Sequence, residues 1–280
     1  IGPGPGSIVK PDVVFYGGNA GMNAGKLEKT GIKSFSIDGT PAYNVGTSFS
    51  TPWVSRMAAE LTHLVKEEFD PLLIRALLIH NAKYPANNSM SMTDKVTQMG
   101  FGAPSSVQEM LYNSEDEITL ILRDTLEKGS FIEMFDFPFP ESLVDKDGNF
   151  VGQIIVTLVT KSLLDDKQAG EYCQSNIDIL FGTYETETDR DTSKKGIKNP
   201  KGLEEPQNIL LESLYSARVK GAHPFTGFER ECTLVKYGKK FHPVKKYAID
   251  LSEMTTSNRQ RYLRGDRKWY LKIEGLYRDF

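Results

Sequence analysis

A serine set where a glycine turn becomes a helix can act as a nucleophile, and Gly46-Thr47-Ser48-Phe49-Ser50-Thr51-Pro52 sets one there. The helix would hold the Ser48 hydroxyl on a rigid element. Its first turn leaves backbone N–H groups without intrahelical partners, and its dipole favours developing negative charge near the Ser48 N–H. Gly46 leaves room for a substrate to approach, and Pro52 is expected to fix the first turn. Acyl transfer is the chemistry such a constellation suits. Ser and Thr are also ordinary cap residues, so the same run is compatible with a plain capped helix.

A hydroxyl nucleophile needs a base within about 3 Å. The four histidines are His63, His80, His223 and His242. His63 lies 15 positions down the same helical pattern, roughly 22 Å away at about 1.5 Å per residue. His80 closes the next helix, and His223 and His242 fall in a later, β-rich region. None is expected to serve. Other runs read as structure. Ala20 to Leu27 lacks the glycine and the Ser/Thr of a phosphate-binding loop and reads as a flexible loop spanning Gly17–Gly25. Asp145-Lys146-Asp147-Gly148-Asn149 is too short for a calcium loop and reads as an Asp-Gly hairpin turn. Asn87-Asn88-Ser89 is a glycosylation triplet of low specificity, and Lys239-Lys240 with Lys245-Lys246 read as a solvated strand edge. Trp53 and Trp269 read as packing residues.

The elements that must position Ser48 follow from periodicity. Val54, Met57, Ala58, Leu61, Leu64 and Val65 form an apolar stripe at the 3.6 period, opposite Ser55, Arg56, Glu60, His63 and Glu67. Asp70-Pro71 caps a second helix, Leu72 to about Asn81, apolar nearly all round. Upstream, Asp12 to Tyr16 reads as a buried strand and Ser34 to Ile37 as another. A tight turn at Met99 to Pro104 precedes a short helix near Val107 to Leu111. From Glu117 the period becomes 2. Strands are expected at Glu117–Leu122, Phe131–Phe137, Gly152–Thr160, Asn176–Tyr184, Cys232–Tyr237, Lys245–Leu251 and Lys268–Glu274. A polar loop is expected between Glu185 and Glu205, and a short helix at Ile209 to Tyr215.

Four of these stretches, in order, resemble the subtilisin-like serine peptidases, the subtilases. Gly46 to Pro52 is similar to the family's nucleophile motif, G-T-S-x-[AS]-x-P. Lys10-Pro11-Asp12-Val13-Val14 resembles its upstream strand, Asp70 to Leu78 the helix after the nucleophile helix, and Gly100-Phe101-Gly102 its closing turn. Phe15-Tyr16 depart from the Ala-Pro that the family usually places before the glycine. The resemblance spans about residues 7 to 113. It implies that Ser48 is the nucleophile, that the Ser48 N–H is one oxyanion donor, and that the Thr47 hydroxyl supports that hole. In the family the triad runs Asp, His, Ser. The Asp, the His and the oxyanion Asn are therefore expected upstream of this chain, which alone is expected to be inactive.

The fold class expected is a partial α/β, three-layer subtilisin-like domain over residues 1–114, followed by an all-β sandwich or jelly roll over 115–280. Ile132, Met134 and Ile155 are expected to face the first domain. The implied partners are a polypeptide substrate and the upstream part of the same catalytic domain, with no cofactor and no metal. Of the 280 residues, 39% are hydrophobic and 25% charged, enough for a sizeable core. The net charge of −3 argues against a broadly basic nucleic-acid surface. Leu72 to Ile79, the longest oily stretch, is too short to cross a bilayer. Cys173 and Cys232 are too few for a disulfide framework and are expected as free thiols. Ile1, with no initiator Met, suggests a piece cut from a longer protein. Two other classes stay open: a non-enzymatic binding module whose β-domain docks a partner protein, and a degenerate subtilase.

Overall fold

The computed structural model describes residues 9–66, 68–85, 90–114, 117–127, 129–167, 173–184, 207–208, 233–234, 239–240 and 243–277. They divide into two compact units, one over Val9–Leu120 and one from Ile121 onward. The fold is mixed α/β, built of helices and small antiparallel sheets.

The first unit opens with two hairpins. Strands β1 (Asn19–Asn23) and β2 (Lys26–Thr30) pair antiparallel, as do β3 (Ile32–Phe35) and β4 (Pro41–Asn44). The Gly17–Gly25 segment is therefore not a loop. Ala24 and Gly25, with φ of 48° and 79°, make the two-residue turn that a right-twisted hairpin favours. Asp12 to Tyr16 forms no strand. It runs extended, half-buried over Asp12–Phe15 and exposed at Tyr16, held at two points where Val14 N–H donates to Gly102 O (3.0 Å) and Phe101 N–H to Asp12 O (3.0 Å).

Helix α1 (Thr47–Leu64) starts five residues before the expected proline. Pro52 is thus its sixth residue rather than part of its first turn. Helix α2 (Pro71–His80) begins as read, with the Asp70 carboxylate accepting the Leu72 N–H at 2.8 Å. Helix α3 (Met92–Met99) is unforeseen, yet it carries a capping pair: Ser91 Oγ accepts the Asp94 N–H and donates to the Asp94 carboxylate. Helix α4 (Val107–Leu111) follows. One core joins them: Leu61 with Leu73, Ile74, Leu77, Leu78, Val107 and Met110. Val54, Met57, Ala58 and Val65 pack against it, as the stripe requires. Leu64 does not join them and lies 38% exposed.

In the second unit, β5 (Phe131–Phe137), β6 (Gln153–Val159), β7 (Ser175–Tyr184), β11 (Val244–Asp250) and β12 (Lys268–Tyr277) answer to five of the expected strands. The two-residue strands β8 (Gln207–Asn208), β9 (Thr233–Leu234) and β10 (Lys239–Lys240) complete the set among the described residues. Their order is β5-β12-β7-β8 in one antiparallel sheet, with β6 and β11 paired separately, as are β9 and β10. The four-stranded sheet and the β6–β11 pair share a core. Trp269 sits at its centre, stacked between Phe139 (4.6 Å) and Phe181 (5.0 Å) with Phe150 alongside at 5.2 Å. Met134 packs into this core, not outward, and Ile154 and Val156 do the same from β6, leaving Ile155 on the other face.

Two expectations fail here. Glu117–Leu122 gains no ladder partner among the described residues, and Ile118, Leu120, Ile121 and Leu122 stay exposed. Lys245 and Lys246 are buried, at 9% and 8% exposure, instead of solvated. The Lys245 ammonium donates to the Ile177 carbonyl and to the Asp178 carboxylate at 3.2 Å, which replaces its hydration. The Asp-Gly turn stands: Asp145 Oδ1 accepts the Asp147 and Asn149 N–H groups, and Val144 bridges Phe150 across it. These N–H donors, with Arg259, hold the Asp145 carboxyl below the usual carboxylate range. Cys173 is buried, and its Sγ donates to Ser175 O at 3.0 Å. Cys232, His223, His242, Asn87-Asn88-Ser89, the 185–205 loop and the 209–215 helix lie outside the described residues.

Candidate active site

Ser48 is the second residue of α1 and is exposed, as are Gly46 and Thr47. Gly46 is the N-cap and has no side chain with which to cap. The first-turn N–H groups of Thr47 and Ser48 therefore face a position that no side chain of the cap fills. Phe49 N–H turns back to Gly46 O at 3.0 Å.

The carbonyl side of this turn is arranged by hydroxyls. Thr51 Oγ1 and Ser50 Oγ both donate to Thr47 O, at 2.8 and 3.2 Å. Pro52 has no N–H to give Ser48 O four residues back, so the proline removes one intrahelical bond directly behind the serine. The Ser48 hydroxyl itself makes no hydrogen bond to another described residue. It is open to solvent and uncommitted.

A chain of backbone contacts fixes where α1 begins. Gly46 N–H donates to Gly17 O at 2.9 Å. Gly17 ends the extended Asp12–Tyr16 run, and that run is pinned to the Gly100–Gly102 turn described above. The fit there is close: a Cβ on Gly100 would lie 1.8 Å from Pro11 O, so only glycine can pass. Tyr84 donates its hydroxyl to Gly100 O at 2.6 Å. Asp12 pairs with Arg75 of α2 at 2.9 Å and with Lys10 at 3.0 Å.

A surface cleft of about 450 Å³ lies beside this array, lined by Val13, Val54, Ala58, Phe69, Ile74 and Arg75 among others. Ser48 does not line it. No base approaches the serine from the described histidines: His63 is exposed on the last turn of α1, and His80 ends α2, half-buried. No three His, Cys, Asp or Glu side chains among the described residues converge as a metal site. No helix among them is long and apolar enough to cross a membrane.

The ordered set of Pro11–Val14, Gly46–Pro52, α2 and the Gly100–Gly102 turn is not local coincidence, because residues 2–105 match the model of the subtilase family. Residues 2–105 are therefore similar to the subtilases. The match takes in the Ser48 turn, both hairpins, α1, α2, α3 and the closing turn, and stops before α4. No curated protein matches the chain. In this subtilase-like segment the sequence anticipated the serine's place on a helix start. The strand expected at Ser34–Ile37 overlaps the end of β3, but β1, β2, β4 and the two hairpin pairings were missed, although the Gly25 turn was there to be read.

Proposed function

We propose that this chain contributes the nucleophile of a subtilisin-like serine endopeptidase acting on polypeptides. The observation that carries the reading is the exposed, uncommitted Ser48 hydroxyl at the start of α1, inside the segment that matches the subtilase family. Ser48 Oγ attacks the scissile carbonyl and gives its proton to a histidine supplied from outside this chain. The tetrahedral oxyanion is met by the Ser48 N–H at the helix start, with Thr47 in support. Collapse breaks the C–N bond as that histidine returns the proton to the leaving amine, and the acyl group left on Ser48 is then hydrolysed by water to the free acid.

On this reading residues 1–114 are the C-terminal part of the catalytic domain and 115–280 an appended β-sandwich. The triad aspartate and histidine lie in an upstream part of the same domain. The apolar lining of the 450 Å³ cleft and the exposed Trp53, Leu64 and Phe69 support a missing packing partner for this unit. On this reading the chain alone, without that upstream part, is inactive.

The test is peptide hydrolysis by the full-length protein and by its Ser48→Ala variant. The variant loses on the order of 10⁶-fold in kcat. Hydrolysis that survives Ser48→Ala undiminished removes Ser48 from the mechanism.

A further inference from the structure

We propose that Gly17 and Gly31 are positioning residues for the nucleophile: together they seat the Asn44–Gly46 backbone and thereby set where the Ser48 hydroxyl and N–H stand. The inference rests on the peptidase reading of Ser48. Both glycines lie far from the serine in sequence. What they touch is the segment that delivers it.

At Gly31, between β2 and β3, a Cβ would lie 2.1 Å from Asn44 O and 2.6 Å from Asn44 C and N. At Gly17 a Cβ would lie 2.8 Å from Gly46 O and 3.4 Å from Ser50 Cβ. The contacts under 3.0 Å are all to backbone, and the Ser50 Cβ does not move with χ1, so no rotamer change relieves them. Gly17 also accepts the Gly46 N–H at 2.9 Å, and Ile32, next to Gly31, is in register with Asn44 in the β3–β4 pair. The two contacts bear on consecutive points of one short path, Asn44 and then Gly46, immediately before α1. A methyl at either point pushes that path outward by several tenths of an ångström or more. Ser48 lies only two residues past Gly46, and no side chain of Gly46 anchors the turn, so the shift passes into the reacting groups. A displacement near 1 Å at a reacting atom costs roughly a hundredfold in rate.

Gly21 supplies the control. It lies in β1 of the same hairpin pair, and a Cβ there would meet nothing within 4 Å. The experiment compares full-length protein carrying Gly17→Ala, Gly31→Ala or Gly21→Ala with the unaltered protein. It reads the second-order rate of Ser48 labelling by a fluorophosphonate, per folded molecule, together with kcat and KM on a peptide substrate. Expected are a fall of roughly tenfold to a hundredfold in labelling rate and in kcat for Gly17→Ala and Gly31→Ala, with KM within about threefold, and no change for Gly21→Ala. Gly31→Ala meets the harder contact; where it does not fold, Gly17→Ala decides. A merely structural role lowers the melting temperature and the folded fraction but leaves the rate per folded molecule intact, and that result overturns the proposal. Absence of labelling in the unaltered protein overturns the peptidase reading and this proposal with it. Normal labelling in both the unaltered and the variant proteins overturns this proposal alone.

Discussion

Leu61 and Leu64 occupy the same apolar stripe in the sequence, and the structure separates them. Leu61 is 0% exposed among Leu73, Ile74, Leu77, Leu78, Val107 and Met110, whereas Leu64 is 38% exposed. Truncating a buried leucine to alanine costs roughly 2–5 kcal/mol, rising by about 24 cal/mol per Å³ of cavity that fails to collapse. The neighbours of Leu61 come from α2 and α4, elements fixed by their own caps at Asp70 and Ser106, so the cavity has little room to close. Leu61→Ala is therefore expected near the upper half of that range, about 4 kcal/mol. Leu64→Ala forfeits only partial burial, under about 1 kcal/mol. The assay is urea unfolding followed by Trp53 fluorescence in a Trp269→Phe background, since Trp53 rides on the same helix. With a slope of about 2 kcal/mol per molar urea, the two midpoints move by about 2 M and under about 0.5 M. Equal shifts, or a larger one for Leu64→Ala, would refute the packing that holds the serine's helix in place.

Two further outcomes follow from particular contacts. Trp269→Ala is expected to cost the second unit about 3–5 kcal/mol, seen by calorimetry, because the ring is 2% exposed within an aromatic stack. Trp269→Phe is expected to cost much less, since it also removes an indole N–H that finds no acceptor among the described residues; equal costs would refute this. In the β3–β4 turn, hydrogen bonds from the Ser36 and Thr40 hydroxyls and the Thr40 N–H pull the Asp38 carboxyl down to about 2. A depressed carboxylate stabilises the fold above its ordinary value and loses that contribution as pH falls through about 2. A carbon-13 titration of Asp38 should then show its midpoint about 2, moving towards 3.8 in Ser36→Ala; a midpoint near 3.8 in the unaltered protein would contradict the turn geometry.

What the sequence disclosed was whatever is local. The α1 stripe, the Asp70 cap of α2 and the alternation of β5, β6, β7 and β12 all depend on residues within one or two turns or strand steps. The Ser48 motif was legible for the same reason. Ladder partners are not local: Asp12–Tyr16 and Glu117–Leu122 have strand composition, yet neither finds a continuous neighbour among the described residues. Ala24 concealed a tight turn because alanine seldom takes positive φ. Pro52 suggested a helix start, while the helix had begun five residues earlier, with threonine and serine hydroxyls occupying the Thr47 carbonyl. Lys245 looked like a surface residue, and its partners, Ile177 and Asp178, lie 68 and 67 positions away.

The central claim is that the Ser48 hydroxyl is the group that attacks. Incubating the full-length protein with a fluorophosphonate and mapping the adduct by peptide mass spectrometry tests it directly. The account predicts one covalent adduct on Ser48, lost in Ser48→Ala and dependent on the protein being folded. An adduct on a different serine, or none on Ser48 in folded protein that hydrolyses peptides, would contradict it.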